Sequence, residues 1–338
     1  MSKKIRLMPS GKEVAVAEGD TVLSALERHG YFLPNNCRAG ACGECKTKVC
    51  GGEFDQGFIL DMALSKADRE NGHGLMCMAK PTSEVLEIEW ETENNLPKLF
   101  PPQENVSHIV TEKRMVTGNI VKLRLRSIAK PIRFWPGQYV TLGNNNDIPA
   151  RPYSIANIPN SDGEIILYIT KMESGTTSVW AHDTLSLGDR VTLNGPYGTF
   201  IGDAAADTPV LCLASGSGLA PITSLASAAL LRGGFRNKAS VLFSARTKED
   251  LFENGLFSFL DAKFRNFKYN YTLTREDNPG GLTGRIPDIL DKVYPDLSGH
   301  SLYIAGSPEF VDACVAKAKR LGAKDELIHC EGFHAQQS

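Results

Sequence analysis

A multidomain chain of mixed α+β and α/β class is predicted by three observations. Residues 1 to about 92 alternate short strands around one helix, which is a β-grasp pattern. Residues 104 to about 203 carry many strands punctuated by turn signals, which implies a small antiparallel barrel. From about residue 208 to 333 the rhythm changes to strand, helix, strand, helix, the mark of a parallel sheet that binds its ligand at the carboxyl edge.

Bulk properties agree with this organisation. A length of 338 residues predicts two or three domains. Apolar content of 42% and charged content of 22% are those of a globular protein. A net charge of −2 argues against nucleic acid or a membrane surface as a partner on charge alone. The start, Met1 to Arg6, leads into an alternating pattern, and no apolar run reaches the length of a membrane span, so a cytoplasmic location is expected. Eight cysteines then suggest metal ligation plus reduced thiols. Cys50, Cys212, Cys314 and Cys330 read as ordinary buried thiols.

In the first segment, Lys4 to Met8 and Glu13 to Val16 alternate like paired strands. Asp20 is placed to cap a helix whose Val22, Ala25 and Leu26 share a face, and Gly30 ends it. Strands resume at Lys46 to Cys50 and Val85 to Trp90. Between them lies the most specific motif of the chain. Cys37, Cys42 and Cys45 stand in C-x4-C-x2-C spacing, with Cys77 as a distant fourth thiol on a strand. This is the plant-type spacing for a [2Fe–2S] cluster, with Gly40 and Gly43 freeing the backbone to approach the sulfurs. A zinc site more often shows two short C-x2-C pairs, and a disulfide leaves the remaining thiols unexplained. Cys37, Cys42, Cys45 and Cys77 are therefore the expected metal ligands.

Glu91 to Gln103 is polar and proline-bearing, and reads as a linker or a loop packed on a neighbour. The barrel strands are expected at Asn119 to Leu125, Gln138 to Leu142, Glu164 to Thr170 and Arg190 to Leu193, with turns at Pro136-Gly137 and Gly195-Pro196. In the last segment, Pro209 to Ala214, Ala239 to Ala245, Tyr269 to Thr274 and Ser301 to Ala305 are short apolar runs. Helical patterns intervene, the clearest placing Phe310, Val311, Cys314, Val315 and Ala318 on one face. Ser215 to Pro221 follows the first run and opens a helix, so Gly216 and Gly218 can meet phosphate through their backbone.

Several of these stretches resemble the ferredoxin–NADP reductase superfamily. Arg151-Pro152-Tyr153-Ser154, Tyr168 to Lys171 and Gly175 to Ser178 are similar to its R-x-Y-S/T and G-x-x-S/T flavin motifs. The resemblance implies a six-stranded flavin-binding barrel. Arg151 would neutralise pyrophosphate, Tyr153 would offer a flat face, and Ser154 would sit near the N5 edge. Tyr168, Lys171, Gly175, Thr177 and Ser178 would complete the FAD site. Ala214 to Pro221 looks like the family's G-G-T-G-x-A-P loop, which implies coenzyme contacts at Gly216, Ser217, Gly218 and Pro221. Arg246 with Lys248 could receive a 2′-phosphate, or Arg246 could stack on adenine while Glu249 or Asp250 caps the following helix. Arg275 raises the same choice. Ala305-Gly306-Ser307-Pro308 resembles the C-G-P-P loop with alanine for the cysteine, leaving Gly306 and Pro308 as wall residues. Glu331 falls where relatives carry an acid, and Phe333 could shield the flavin or simply pack on the sheet.

Taken whole, the chain resembles the reductase component of bacterial multicomponent oxygenases: a plant-type [2Fe–2S] domain (1–92), an FAD barrel (104–203) and an NAD(P) domain (208–333). The implied activity is electron transfer from NADH, with NADPH as the other coenzyme, through FAD and the cluster to an oxygenase or hydroxylase. No catalytic acid or nucleophile is called for, and the histidines read as surface or packing residues. Arg38 and Glu44 beside the cluster loop are the expected docking contacts for that partner. Two other readings share parts of the pattern: a reductase serving a deoxysugar dehydrase, and an electron carrier or redox sensor without hydride chemistry.

Overall fold

The computed structural model describes residues 3–35, 37–61, 63–90, 98–128, 130–144, 147–202 and 207–333. Chain contacts divide it into two compact units, Met1–Gln103 with Pro196–Thr199, and Glu104–Gly195 with Phe200–Ser338. Most of the linker expected at Glu91 to Gln103 lies outside the described residues.

The first unit contains β1 (Lys4–Met8), β2 (Lys12–Ala15), β3 (Lys46–Gly51), β4 (Phe54–Asp55), β5 (His73–Leu75), β6 (Lys80–Pro81) and β7 (Val85–Glu89). Five strands form a mixed sheet in the order β2-β1-β7-β3-β5, and β1 runs parallel to β7. Helix α1 (Val22–Arg28) packs Val22, Leu23, Ala25 and Leu26 into the core with Ile5, Leu7, Leu86 and Ile88. Burial of each of these Val, Leu and Ile side chains contributes about 1.5–3 kcal/mol before entropy is counted. Thr21 caps the helix, its hydroxyl accepting from Ser24 N–H, where Asp20 was expected to cap. Asp20 instead accepts from Ala17 N–H and the Arg28 guanidinium, bracing the turn before the helix. Gly30, at φ +77°, does end it: its N–H reaches Glu27 C=O and Tyr31 N–H reaches Leu26 C=O. A short helix, α2 (Lys66–Glu70), is closed by a capping box between Ser65 and Asp68. Cys50 is exposed and not buried, because it lies on the outward face of β3.

In the second unit, β8 (Gln103–Met115), β9 (Ile120–Ser127), β10 (Tyr139–Gly143), β11 (Arg151–Ser154), β12 (Glu164–Thr170) and β13 (Arg190–Tyr197) form the barrel. Their order is β11-β10-β13-β8-β9-β12, and an Ile155–Leu167 bridge closes β11 onto β12. The turn at Pro136-Gly137 is present. Gly137 has φ +91°, and a Cβ there would fall 1.9 Å from the Phe200 carbonyl oxygen. The turn expected at Gly195-Pro196 is absent, since β13 runs through both residues to Tyr197. Gly195 permits this with a φ of +144°, extended but on the glycine-only side.

The C-terminal sheet is all parallel: β14 (Val210–Ser215), β15 (Ala239–Ala245), β16 (Phe267–Leu273), β17 (Leu282–Thr283), β18 (Ser301–Gly306) and β19 (Ile328–Gly332), in the order β17-β16-β15-β14-β18-β19. After the barrel helix α3 (Thr176–Val179), the helices here are α4 (Leu219–Leu231), α5 (Asn254–Lys263), α6 (Ile286–Val293) and α7 (Pro308–Arg320). One apolar cluster holds Ile120, Ala156 and Tyr168 of the barrel together with Ala220, Phe252 and Tyr303 of the sheet. That shared core joins the two segments into one unit.

Candidate functional site

The cluster loop presents its sulfurs to backbone donors. Cys37, Cys45 and Cys77 are buried and Cys42 is half-buried. Cys37 Sγ accepts from the N–H groups of Ala39 (3.4 Å), Ala41 (3.3 Å) and Cys42 (3.3 Å). Cys37 N–H donates to Cys42 Sγ at 3.5 Å, and Cys77 N–H to Cys45 Sγ at 3.4 Å. Positive φ at Arg38, Gly40 and Gly43 turns these donors inward. A Cβ on Gly40 would sit 2.9 Å from Ile59, and one on Gly43 would sit 3.0 Å from the Ala63 carbonyl oxygen. Cys77 stands on the tight turn after β5, where Met78 and Ala79 N–H both return to Leu75 C=O, and not on a strand as expected.

The four thiols fall into two pairs. A hydrogen bond from Cys42 and three backbone N–H groups hold the Cys37 thiol below its ordinary value, against the effect of burial, while Cys42 is pushed up. In the other pair, bonding to Cys45 lowers Cys77 and raises Cys45. Among the described residues no three His, Cys, Asp or Glu side chains gather for a single metal ion. Two sulfur pairs with inward N–H donors suit a two-iron cluster, which Cys37, Cys42, Cys45 and Cys77 would hold.

The second constellation is assembled from remote segments. Ser154, at the end of β11, donates its hydroxyl to Glu331 Oε1 on β19 at 3.1 Å. Glu331 is 9% exposed and its Oε2 has no hydrogen-bond partner among the described residues. Burial pushes its carboxyl up to about 8, with the Ser154 bond opposing. In register, Glu331 faces Ala305 and Gly332 faces Gly306, and Phe333 N–H reaches Gly306 C=O at 2.9 Å. Ser154, Gly306, Glu331 and Phe333 are thus brought to one place. The orphaned Glu331 oxygen leaves a hydrogen-bonding position for a ligand there.

The remaining flavin candidates are distributed around the barrel. Arg151 reaches Ala150 C=O at 3.2 Å and makes no ion pair among the described residues. Tyr153 is half-buried, and burial raises its phenol to about 12. Thr177 is buried with its hydroxyl on Pro149 C=O (2.6 Å). Ser178 turns back into its own loop, accepting from Met172 N–H and donating to Gly175 C=O. Two candidates have committed polar ends. The Tyr168 hydroxyl donates to Glu253, and Lys171 Nζ is held by both oxygens of Asp183 at 2.7 and 2.8 Å. Sequence reasoning missed Glu253, whose signal is local: it occupies the left-handed region at φ +57° just before α5.

The nucleotide loop is shaped by close approach. Gly216 has φ +53° with open space beyond its Cα. A Cβ on Gly218 would fall 2.2 Å from the Ala305 carbonyl oxygen, and one on Gly306 would fall 2.3 Å from Ser215 Oγ. The ends of β14 and β18 therefore meet through two glycines, forming a cradle that a larger residue would fill. Ser217 Oγ accepts from Thr170 of β12 at 3.0 Å, and Pro221 lies in the first turn of α4. Pro308 opens α7 behind its cap Ser307. Arg246 pairs with Asp250 at 3.1 Å, and Lys248 Nζ lies 3.7 Å from Glu276. Arg275 is exposed beside them. Asp250 closes a capping box with Thr247.

Known proteins match this arrangement in order. Residues 5–82 match the 2Fe-2S iron-sulfur cluster binding domain, 107–201 the oxidoreductase FAD-binding domain, and 212–316 the oxidoreductase NAD-binding domain. The phenol hydroxylase P5 protein of Acinetobacter pittii is 30% identical over 337 residues, covering 98% of this chain and 95% of that one. The phenol 2-monooxygenase reductase component DmpP of Pseudomonas sp. is 31% identical over 338 residues, covering 99% and 95%. The crystal structure of the Amycolatopsis cytochrome P450 reductase GcoB matches with a TM-score of 0.87 at 30% identity, covering 98% of both chains. Among the described residues no helix is long and apolar enough to cross a membrane. With cluster, flavin and nicotinamide domains in this order over its whole matched length, the chain belongs to the reductase components of bacterial oxygenase systems.

Proposed function

We propose that this protein takes hydride from NADH and delivers electrons one at a time to an oxygenase or hydroxylase component. The observation that carries the reading is the order of three cofactor domains, matched end to end by oxygenase reductases. When bound, FAD supplies the conversion between a two-electron hydride and single electrons, and the [2Fe–2S] centre stores one electron.

The chain's own residues bind, orient and shield. Cys37, Cys42, Cys45 and Cys77 ligate the cluster, with the backbone donors on Cys37 stabilising its thiolate. Arg151 and the turn at Gly175 to Ser178 receive the FAD pyrophosphate, and Tyr153 packs along the flavin. Ser154 and Glu331 face the reacting edge, where a carboxyl near pKa 8 can hold or release a proton close to neutrality. Gly216, Ser217, Gly218 and Pro221 cradle the coenzyme phosphates, while Gly306, Pro308 and Phe333 wall the nicotinamide side. Coenzyme preference follows charge. Arg246 and Lys248, at and just after the end of β15, hold Asp250 and Glu276, so a 2′-phosphate received there would compete with those carboxylates. The segments 1–92, 104–203 and 208–333 serve as the three functional domains.

The test is anaerobic mixing with NADH. Bleaching of both the flavin and the iron–sulfur absorption supports the reading, and a protein that keeps its colour refutes it.

A further inference from the structure

A buried ion pair ties the cluster loop to helix α1. Glu27 is only 3% exposed, on the face of α1 that packs into the core. Its two oxygens accept from Arg38 Nη1 at 2.6 Å and Nη2 at 2.9 Å. A buried carboxylate requires such a partner, since one left alone costs several kcal/mol in solvation. Arg38 directly follows Cys37 and sits in the left-handed region at φ +53°, where a non-glycine residue needs external support. The peptide that Arg38 begins leads to Ala39 N–H, one of the donors to the Cys37 sulfur. Arg38, expected as a docking contact, also has an internal role, with its guanidinium turned to α1.

We propose that Glu27 is a positioning residue for the cluster, acting through Arg38. It holds the loop in its donor-inward shape and cancels the guanidinium charge beside the iron site, keeping the reduction potential low. This inference rests on the reading of Cys37, Cys42, Cys45 and Cys77 as ligands. Reduction adds one negative charge to the cluster, so an uncompensated cation next to it favours the reduced form. A low potential keeps the stored electron a strong reductant for the partner.

The test is a redox titration of the holoprotein, following reduced cluster by electron paramagnetic resonance and flavin by absorbance as internal reference. Glu27→Gln keeps the shape and removes the charge. It is expected to raise the reduced-to-oxidised ratio about tenfold at fixed potential, a positive shift of about 59 mV for a one-electron couple. The double variant Glu27→Gln with Arg38→Gln removes both charges and is expected to return within about twofold of wild type. An unshifted single variant overturns the proposal. So does a double variant displaced about tenfold towards the oxidised form, which decides the matter even where the single variant fails to load. Wild-type protein without a cluster signal refutes the ligand assignment instead.

Discussion

Nine consecutive residues supply three of the four sulfurs of the cluster loop, whereas the polar contact at the proposed hydride site joins Ser154 to Glu331 across 177 positions. The two regions also differ in what they hold. The loop surrounds its sulfurs with fixed backbone donors and places the Arg38–Glu27 ion pair behind them, an arrangement for moving electrons alone. The Ser154–Glu331 site carries a buried carboxyl that titrates near 8. One-electron transfer needs a fixed electrostatic surround, and hydride transfer leaves a proton to be managed.

Removing a sulfur should separate the two regions most sharply. Cys42→Ser is expected to lower cytochrome c reduction by roughly a hundredfold while ferricyanide reduction through the flavin stays within about twofold. Equal loss of both rates would mean the regions do not act in series. Next in size is Gly218→Ala, whose methyl would lie 2.2 Å from the Ala305 carbonyl oxygen. The cradle must open, and the KM for NADH is expected to rise about tenfold or more, with little change in the cluster's paramagnetic signal.

Glu331→Gln addresses the proton. The carboxyl titrates near 8 in the folded chain against an ordinary value of 4.5. Between those values the folded state keeps a proton that the unfolded state has released, so stability falls as pH rises through that window. Denaturant titrations from pH 5 to 9 should show this fall in wild type and a flatter profile in the variant. Ser154→Ala removes the bond that opposes the shift, so it should extend the fall to higher pH without changing its slope. A smaller effect is expected from Asp250→Asn with Glu276→Gln. Freeing Arg246 and Lys248 should move the NADH-to-NADPH ratio of kcat/KM about tenfold towards NADPH. Lys171→Ala should do least. Its pair with Asp183 is exposed, so unfolding stability should change by no more than about 0.5 kcal/mol and FAD retention should be unaltered.

Legibility in the sequence tracks the same contrast. Strand rhythm and cysteine spacing are local, so β12 and β15 stand where the pattern puts them, residue for residue. The long strand β8 was not visible, because it begins in a polar stretch that reads as linker and alternates weakly. Gly195-Pro196 reads as a turn by composition, but neighbouring strands hold it extended. Thr21 displaced Asp20 as cap because the Arg28 guanidinium claims the Asp20 carboxylate from two turns away. The commitments of Tyr168 to Glu253 and of Arg38 to Glu27 depend on tertiary proximity that no spacing rule encodes. Glu27 did leave a trace, a charge four residues after Leu23 on the apolar face of α1.

Reductive titration of anaerobically isolated holoprotein tests the central claim most directly. The account predicts uptake of about three electrons per chain, two by flavin and one by the cluster, with a paramagnetic signal of a reduced [2Fe–2S] centre appearing as NADH is added. Uptake of two electrons with no such signal, or zinc in place of iron and acid-labile sulfide, would contradict it.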